Sequence, residues 1–300
     1  MKVLVTGSSG LIGSALCTAL RKKGVTVVEM DIRNVLDQET FGDILDYRQV
    51  AHKVLQVDGV VHLAAVSRVI LGERNPNLCW KTNVEGTKHV LEAALDSPLK
   101  PWVLYASSRE VYGQQKDQFV KETASLRPVN IYGESKVAAE KAVEEAMKKG
   151  LKAGVLRFSN VFGSVNDHPD RVIPAFCAAA ARGLPIRIDG EDTLFDFTCI
   201  DDVVQGIVTY IDLLSKSLIS LPSIHLTTGR ATSLRSAASY AQEASSHQIE
   251  LLEAPSRSFD VATFSGDPTR ASTLLNWKAS IDVRSGIHRL VDQFKTVYGG

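Results

Sequence analysis

The first half of the chain alternates short apolar runs with longer helical patterns. Val3 to Thr6 forms a β-type run that ends at Gly7. From Gly10 to Lys23 the apolar positions Leu11, Ala15, Leu16, Ala19 and Leu20 recur at helical spacing, and Gly24 stops the pattern. Further strands are predicted over Val25–Met30, Gly59–Ala64, Trp102–Ala106 and Leu151–Phe158, with helices over about 78–96 and 130–149 between them. Strand and helix in alternation mean right-handed crossovers and a mainly parallel sheet with helices on both faces. The near-continuous apolar strands fit a sheet covered on both sides.

Beyond about residue 163 the pattern loosens. Short strand-like runs (Ile186–Ile188, Phe195–Cys199, Ser223–Leu226) mix with helical stretches over about 171–182, 201–214, 232–246 and 282–297. The expected architecture is α/β: a Rossmann doubly wound parallel sheet over 1–163, with a return segment near 192–228, and a smaller α/β substrate lobe over 164–300. The length of 300 residues agrees with this division.

Composition narrows the function classes. Lys+Arg and Asp+Glu are 34 each, so the formal charge is zero. A broad electrostatic footprint for nucleic acid or an anionic membrane is not expected. The chain is 44% hydrophobic and 23% charged, an ordinary globular mixture. Cys17, Cys79, Cys177 and Cys199 form no close pair and have no His at metal-ligand spacing, so they are read as reduced, mostly buried thiols and no metal site is expected. No apolar stretch reaches the roughly 18 residues of a membrane span, and no leader pattern precedes the first strand. A cytoplasmic location is expected.

Three clusters carry candidate chemistry. Gly7, Gly10 and Gly13 stand where the first strand turns into the first helix. Glycine there allows a tight turn and a close approach of backbone to a pyrophosphate, which the helix N-terminus attracts. Asp31 follows the second strand, where a carboxylate binds ribose hydroxyls and repels a 2′-phosphate, favouring NAD over NADP; Arg33 nearby is the feature that could serve NADP. Tyr132 and Lys136 lie four apart at the start of a predicted helix, so both occupy one face. An ammonium beside a phenol favours the phenolate, which can act as a general base. Ser107 to Gly113 stands at the C-terminal end of a parallel strand, where open α/β sheets bind ligands.

These motifs occur together with His62-Leu63-Ala64-Ala65, Asn83 to Thr87, Arg157 to Gly163 and Asp196 to Val203. In that order they resemble the extended short-chain dehydrogenase/reductases, specifically the NAD-dependent nucleotide-sugar epimerase/dehydratase family, over nearly the whole chain. The resemblance implies that Gly7, Gly10, Leu11, Ile12 and Gly13 hold the NAD pyrophosphate. Asp31, with Ile32 and Arg33, would meet the adenosine ribose, Asp43 and Ile44 the adenine, and Leu63, Ala64, Ala65 and Asn83 the cofactor groove. Ser108 would orient the sugar 4-hydroxyl. Tyr132 would be the base, Lys136 would hold the nicotinamide ribose, and Phe158 would approach the nicotinamide. Asn160 and Arg257 would grip the substrate diphosphate. Apart from the family pattern, Ser67 and Arg187 are candidate substrate contacts, and Arg109 could pair with a substrate carboxylate or with Glu110.

The expected reaction is C4 epimerisation of a UDP-sugar or related nucleotide sugar through a 4-keto intermediate. Two features modify that expectation. Glu110 stands where family dehydratases and uronate decarboxylases carry glutamate, and in an extended segment residues 108 and 110 would face one side. A 4,6-dehydratase or a decarboxylase using Glu110 is therefore the rival, with an NAD(P)H-dependent reductase and a non-catalytic dinucleotide sensor behind it. Phe195 stands where many members have Arg before Asp-Phe, so one phosphate contact is missing or comes from elsewhere, for example Arg187. The family also implies a homodimer formed through the helices at 78–96 and 130–149. His62 is read as a hydrogen-bonded core residue, His168 as a surface loop residue and Trp277 as a buried anchor; Arg68 is read equally as a substrate contact or as solvated.

Overall fold

The computed structural model describes residues 1–115, 119–255, 261 and 263–299. In chain order the first elements are β1 (Lys2–Thr6), α1 (Leu11–Lys22), β2 (Thr26–Met30), α2 (Tyr47–Val54), β3 (Gly59–His62), α3 (Val69–Arg74) and α4 (Pro76–Trp80). A π-helical turn (Lys81–Glu85) leads into α5 (Gly86–Asp96), then β4 (Trp102–Ser108), a 3-10 turn (Arg109–Tyr112), α6 (Ile131–Lys148) and β5 (Ala153–Phe158). There follow β6 (Asn160–Phe162), α7 (Val172–Ala181), β7 (Ile186–Asp189), β8 (Leu194–Cys199), α8 (Ile200–Lys216), β9 (Ile224–Leu226) and β10 (Ala231–Ser233). The chain ends with α9 (Leu234–Ala244), β11 (Leu251–Ala254), β12 (Thr263–Phe264), α10 (Thr269–Leu275) and α11 (Val283–Tyr298).

The chain divides into two compact units. The first comprises Met1–Gly113, Glu122–Phe158 and Val204–His225. Its sheet has the order β2-β1-β3-β4-β5-β9. The pairs β1–β2, β1–β3, β3–β4 and β4–β5 are all parallel. This is the Rossmann arrangement. Strand order reverses at β1, so the crevice beyond the C-terminal ends of β1 and β3 is where a ligand belongs. Leu4, Val60, Val103, Tyr105 and Val155 form one core with residues of α2, α5 and α6. Val3 and Val5 are equally buried on the opposite face. Tyr210 of α8 lies on β5, where a Cβ at Gly154 would stand 1.7 Å from its hydroxyl.

The second unit comprises Gln114–Lys121, Ser159–Val203 and Leu226–Gly300. Here β8 pairs with β10 antiparallel and with β6 and β12 parallel, and β7 pairs with β11. Trp277 is buried as expected, its indole N–H donating to the Asp202 carbonyl at 3.0 Å.

The helical pattern at 78–96 is not one regular helix. The backbone widens to π geometry at Lys81–Glu85, a distortion frequent at functional sites, and so delivers Asn83 inward. The elements α2, α3, α10 and β10 to β12 fall in stretches too short for a period to stand out. All four cysteines are buried with free thiols. Among the described residues no helix is long and apolar enough to cross a membrane.

Candidate active site

The turn after β1 is shaped by contacts that only glycine allows. Gly7 has φ of +72°, and a Cβ there would stand 2.7 Å from the Ala64 nitrogen. A Cβ on Gly13 would stand 2.1 Å from the Gly7 oxygen. The first turn of α1 has no side-chain cap from Gly10 and no acidic residue. Its amides and the positive end of the helix dipole are thus available to an outside anion. Asp31 ends this cradle at the tip of β2. Its buried carboxylate accepts the Ser9 amide at 2.9 Å and the Arg33 amide at 2.9 Å, and the Arg33 guanidinium lies on it at 3.2 Å. Burial alone would raise the Asp31 pKa, but the bonds from Arg33 and Ser9 hold it below the ordinary aspartate value. A turn closed to side chains at Gly7 and Gly13, an uncapped helix start and an ionised carboxylate one strand away fit a dinucleotide. Ile32 is exposed beside Asp31. Asp43 caps its own turn through the Leu45 amide (2.9 Å), whereas the Ile44 side chain turns into the core against Gly86.

Beyond β3, Leu63, Ala64 and Ala65 are half-buried and Ser67 is exposed. A polar chain beneath them joins four elements. Thr87 Oγ1 donates to the Asn83 carbonyl, so it accepts from His62 Nε2 at 3.0 Å. The other ring nitrogen of His62 then accepts from Thr6 Oγ1 at 2.7 Å, and Thr6 accepts the Ala64 amide at 3.2 Å. This pattern needs one ring proton, so the imidazole is neutral. Burial, with the Lys136 charge, pushes its pKa down to about 3. Asn83 clasps Val66 from both sides (2.8 and 3.1 Å) and donates to Ser135 Oγ at 2.9 Å. Ser135 in turn donates to the Tyr132 carbonyl at 2.7 Å. The loop after β3 is thereby tied to the first turn of α6.

That turn carries Tyr132 and, one turn on, Lys136. Asn130 caps α6 by accepting the Gly133 amide at 2.8 Å. Tyr132 and Lys136 are both buried on the same helical face. Lys136 Nζ donates to the Ala106 carbonyl of β4 at 2.8 Å and stands 5.8 Å from the Tyr132 ring centre. Burial pulls the lysine down to about 8, against the opposing pull of Cys79 and Glu140. Ser108 ends β4, and Phe158 lies opposite it in register on β5.

The segment after Ser108 corrects one expectation. Arg109–Tyr112 is a 3-10 turn, not an extended strand, so residues 108 and 110 do not share a side by alternation. Glu110 is buried, bound by the Arg109 guanidinium at 2.9 Å and by the Asn130 amide at 2.9 Å.

Glu140 and His225, which motif reading missed, join Arg157 and Tyr112 behind the Tyr132–Lys136 pair. Glu140, two turns after Tyr132, forms a bidentate pair with Arg157 (2.9 and 2.6 Å), and Ser107 Oγ also donates to Glu140. Arg157 reaches the Tyr112 hydroxyl at 2.6 Å, which meets His225 at 2.6 Å. The helical repeat from Tyr132 through Lys136 to Glu140 was the signal available for Glu140.

The remaining candidates belong to the second unit. Asn160 opens β6 and is half-buried. Arg187 is exposed on β7 and pairs with Asp189 at 2.8 Å. Phe195 is buried edge-on against Phe197, their ring centres 5.9 Å apart. Arg257 lies outside the described residues. His168 is exposed, as expected of a loop residue.

Comparison with known proteins agrees with this geometry. A UDP-glucose 4-epimerase of Lactobacillus helveticus is 31% identical over 93% of this chain and 92% of its own length. The crystal structure of UDP-glucose 4-epimerase with UDP-glucose from Thermotoga maritima superposes with a TM-score of 0.91 at 26% identity, covering 99% of this chain and 100% of that one. The UDP-glucuronic acid 4-epimerase of Bacillus cereus, in complex with UDP-glucuronic acid and NAD, gives 0.89 at 26% identity with the same coverage. The sequence profile of the NAD dependent epimerase/dehydratase family matches residues 3–218, and with the cradle, the carboxylate and the Tyr132–Lys136 pair all in place, the chain belongs to that family.

Proposed function

We propose that this chain is an NAD-dependent nucleotide-sugar 4-epimerase, with Tyr132 as its base. The observation that carries the reading is the buried Tyr132–Lys136 pair on one face of α6, its ammonium anchored to Ala106 beside the end of β4. Gly7, Gly10, Leu11, Ile12 and Gly13 would hold the pyrophosphate of NAD, and Asp31 the adenosine ribose. Bound there, NAD supplies a reversible hydride acceptor for the sugar C4. Tyr132 takes the 4-hydroxyl proton and later returns it. Lys136 would keep the phenolate accessible by its charge and would hold the nicotinamide ribose. Ser108 orients the 4-hydroxyl. The second unit would hold the nucleotide through Asn160, Arg187 and Arg257; Phe195, an apolar residue where many relatives place Arg, moves that charge to these other positions.

We further assign a cytoplasmic location and a homodimer formed through α4, α5 and α6. Leu78 and Trp80 of α4 are exposed, an apolar pair that a partner subunit would cover. Sedimentation showing only monomer would remove the dimer.

The deciding experiment is a panel of UDP-, dTDP- and GDP-sugars incubated with the protein and NAD, followed by NMR and mass spectrometry. An epimer of unchanged mass is expected, and Tyr132→Phe should lower turnover by about 100- to 10,000-fold. Net accumulation of reduced cofactor, or full turnover by Tyr132→Phe, would defeat the reading.

A further inference from the structure

The 3-10 turn after Ser108 decides what Glu110 faces. Ser108 Oγ accepts the Glu110 amide at 3.2 Å and fixes the turn. Glu110 Oε1 accepts from the Arg109 guanidinium and Oε2 from Asn130 Nδ2, both at 2.9 Å, with the carboxylate nearly buried. Asn130 passes this restraint on, because its Oδ1 caps the Gly133 amide. The Glu110 main chain presses on the same place: a Cβ on Gly133 would stand 2.6 Å from the Glu110 carbonyl oxygen. Glu110 thus grips the first turn of α6 by side chain and backbone together, and the residue between Asn130 and Gly133 that matters is Tyr132.

The polarity of these bonds is fixed. A guanidinium has no acceptor, and with Oδ1 occupied by Gly133 the Asn130 amide can only donate toward Glu110. Each carboxylate oxygen thus accepts from one donor, and the carboxylate ties Arg109 to the residue that caps α6. Resting on the epimerase reading above, we infer that Glu110 is a positioning residue whose carboxylate orients Asn130 and hence Tyr132.

A polarity swap tests the inference. Glu110→Gln turns an amide donor toward a donor, and kcat should fall about 10- to 100-fold with KM nearly unchanged, as expected of a misplaced base. Adding Asn130→Asp reverses that one hydrogen bond. The new amide then donates to a carboxylate that still caps Gly133, Arg109 still finds an acceptor, and the total charge is conserved. The double variant should recover kcat to within about 3-fold of the starting enzyme, and its melting temperature should recover likewise. A glutamate that moves protons cannot be rescued by relocating the carboxylate to position 130. A folded double variant without recovery would overturn the inference. An enzyme that interconverts no sugar in the panel would sink the epimerase reading instead, and the melting temperatures of the same variants would still test whether the Glu110–Asn130 bond supports the fold.

Discussion

Lys136 Nζ donates a 2.8 Å hydrogen bond to the main-chain carbonyl of Ala106, so the charge beside Tyr132 is anchored to the central strand β4 and not to another side chain. A carbonyl supplies no counter-charge. Burial therefore dominates, and the lysine is pulled down to about 8. The ammonium supports a phenolate below that pH and is lost as pH rises through it. The rate of the chemical step should accordingly fall on the alkaline side with a midpoint near 8. In Lys136→Arg, whose guanidinium stays charged beyond pH 12 or so, overall activity should be lower but the alkaline decline should disappear. A pH profile of kcat checks both.

On the proposed cofactor reading, Asp31 and Arg33 set the choice of dinucleotide. The guanidinium lies on the Asp31 carboxylate at 3.2 Å, near the glycine turn. Asp31→Ala removes the acceptor for the ribose and frees Arg33 to meet a 2′-phosphate. NAD should bind about 10- to 100-fold more weakly, while NADP should gain relative to it. Fluorescence titration with the two cofactors measures the ratio, and an unchanged ratio would remove Asp31 from cofactor selection.

The cradle discriminates sharply between its own glycines. A methyl at Gly13 would meet the Gly7 oxygen at 2.1 Å, whereas one at Gly10 meets it at 3.2 Å. Gly13→Ala should cost about 1–3 kcal/mol of stability through overpacking and abolish tight NAD binding. Gly10→Ala should be milder in both respects. Denaturant melts and cofactor retention on gel filtration compare them directly.

His62 predicts an acid limit to stability. Its folded pKa of about 3 lies below the 6.5 of an exposed histidine. Between these values the unfolded chain binds the proton and the folded one does not, so stability is full above pH 6.5 and declines as pH falls toward 3. The slope contributed is at most about 1.4 kcal/mol per pH unit. His62→Asn should be less stable at pH 8 by about 1–3 kcal/mol yet show a shallower loss between pH 6.5 and 5. Urea melts at the two pH values give the difference, and parallel pH dependences would contradict the neutral imidazole.

Much of the candidate site's geometry was legible because its parts are local. Glycines at a strand–helix turn, an acidic residue ending the next strand, and a tyrosine and lysine four apart on a helix are spacings along one piece of backbone. The conformation of that backbone follows from periodicity. Glu110 was harder. Its type and position pointed to proton transfer, but its partner Asn130 is twenty residues away, and the turn that aims it at Asn130 carries no periodic signal.

The sequence alone determined the alternation of strands and helices, hence the parallel sheet, the phosphate cradle and the face shared by Tyr132 and Lys136. Each of these depends on residues within a turn or two of one another. The tertiary structure alone decided which buried polar groups meet. Placing β1 beside β3 brings Thr6 to His62, and placing β4 beside β5 sets Ser107 opposite Arg157 with Glu140 above them. Those pairings depend on strand order and register, which join residues far apart in the chain; a polar side chain taken out of water is stable only with the partner that register supplies.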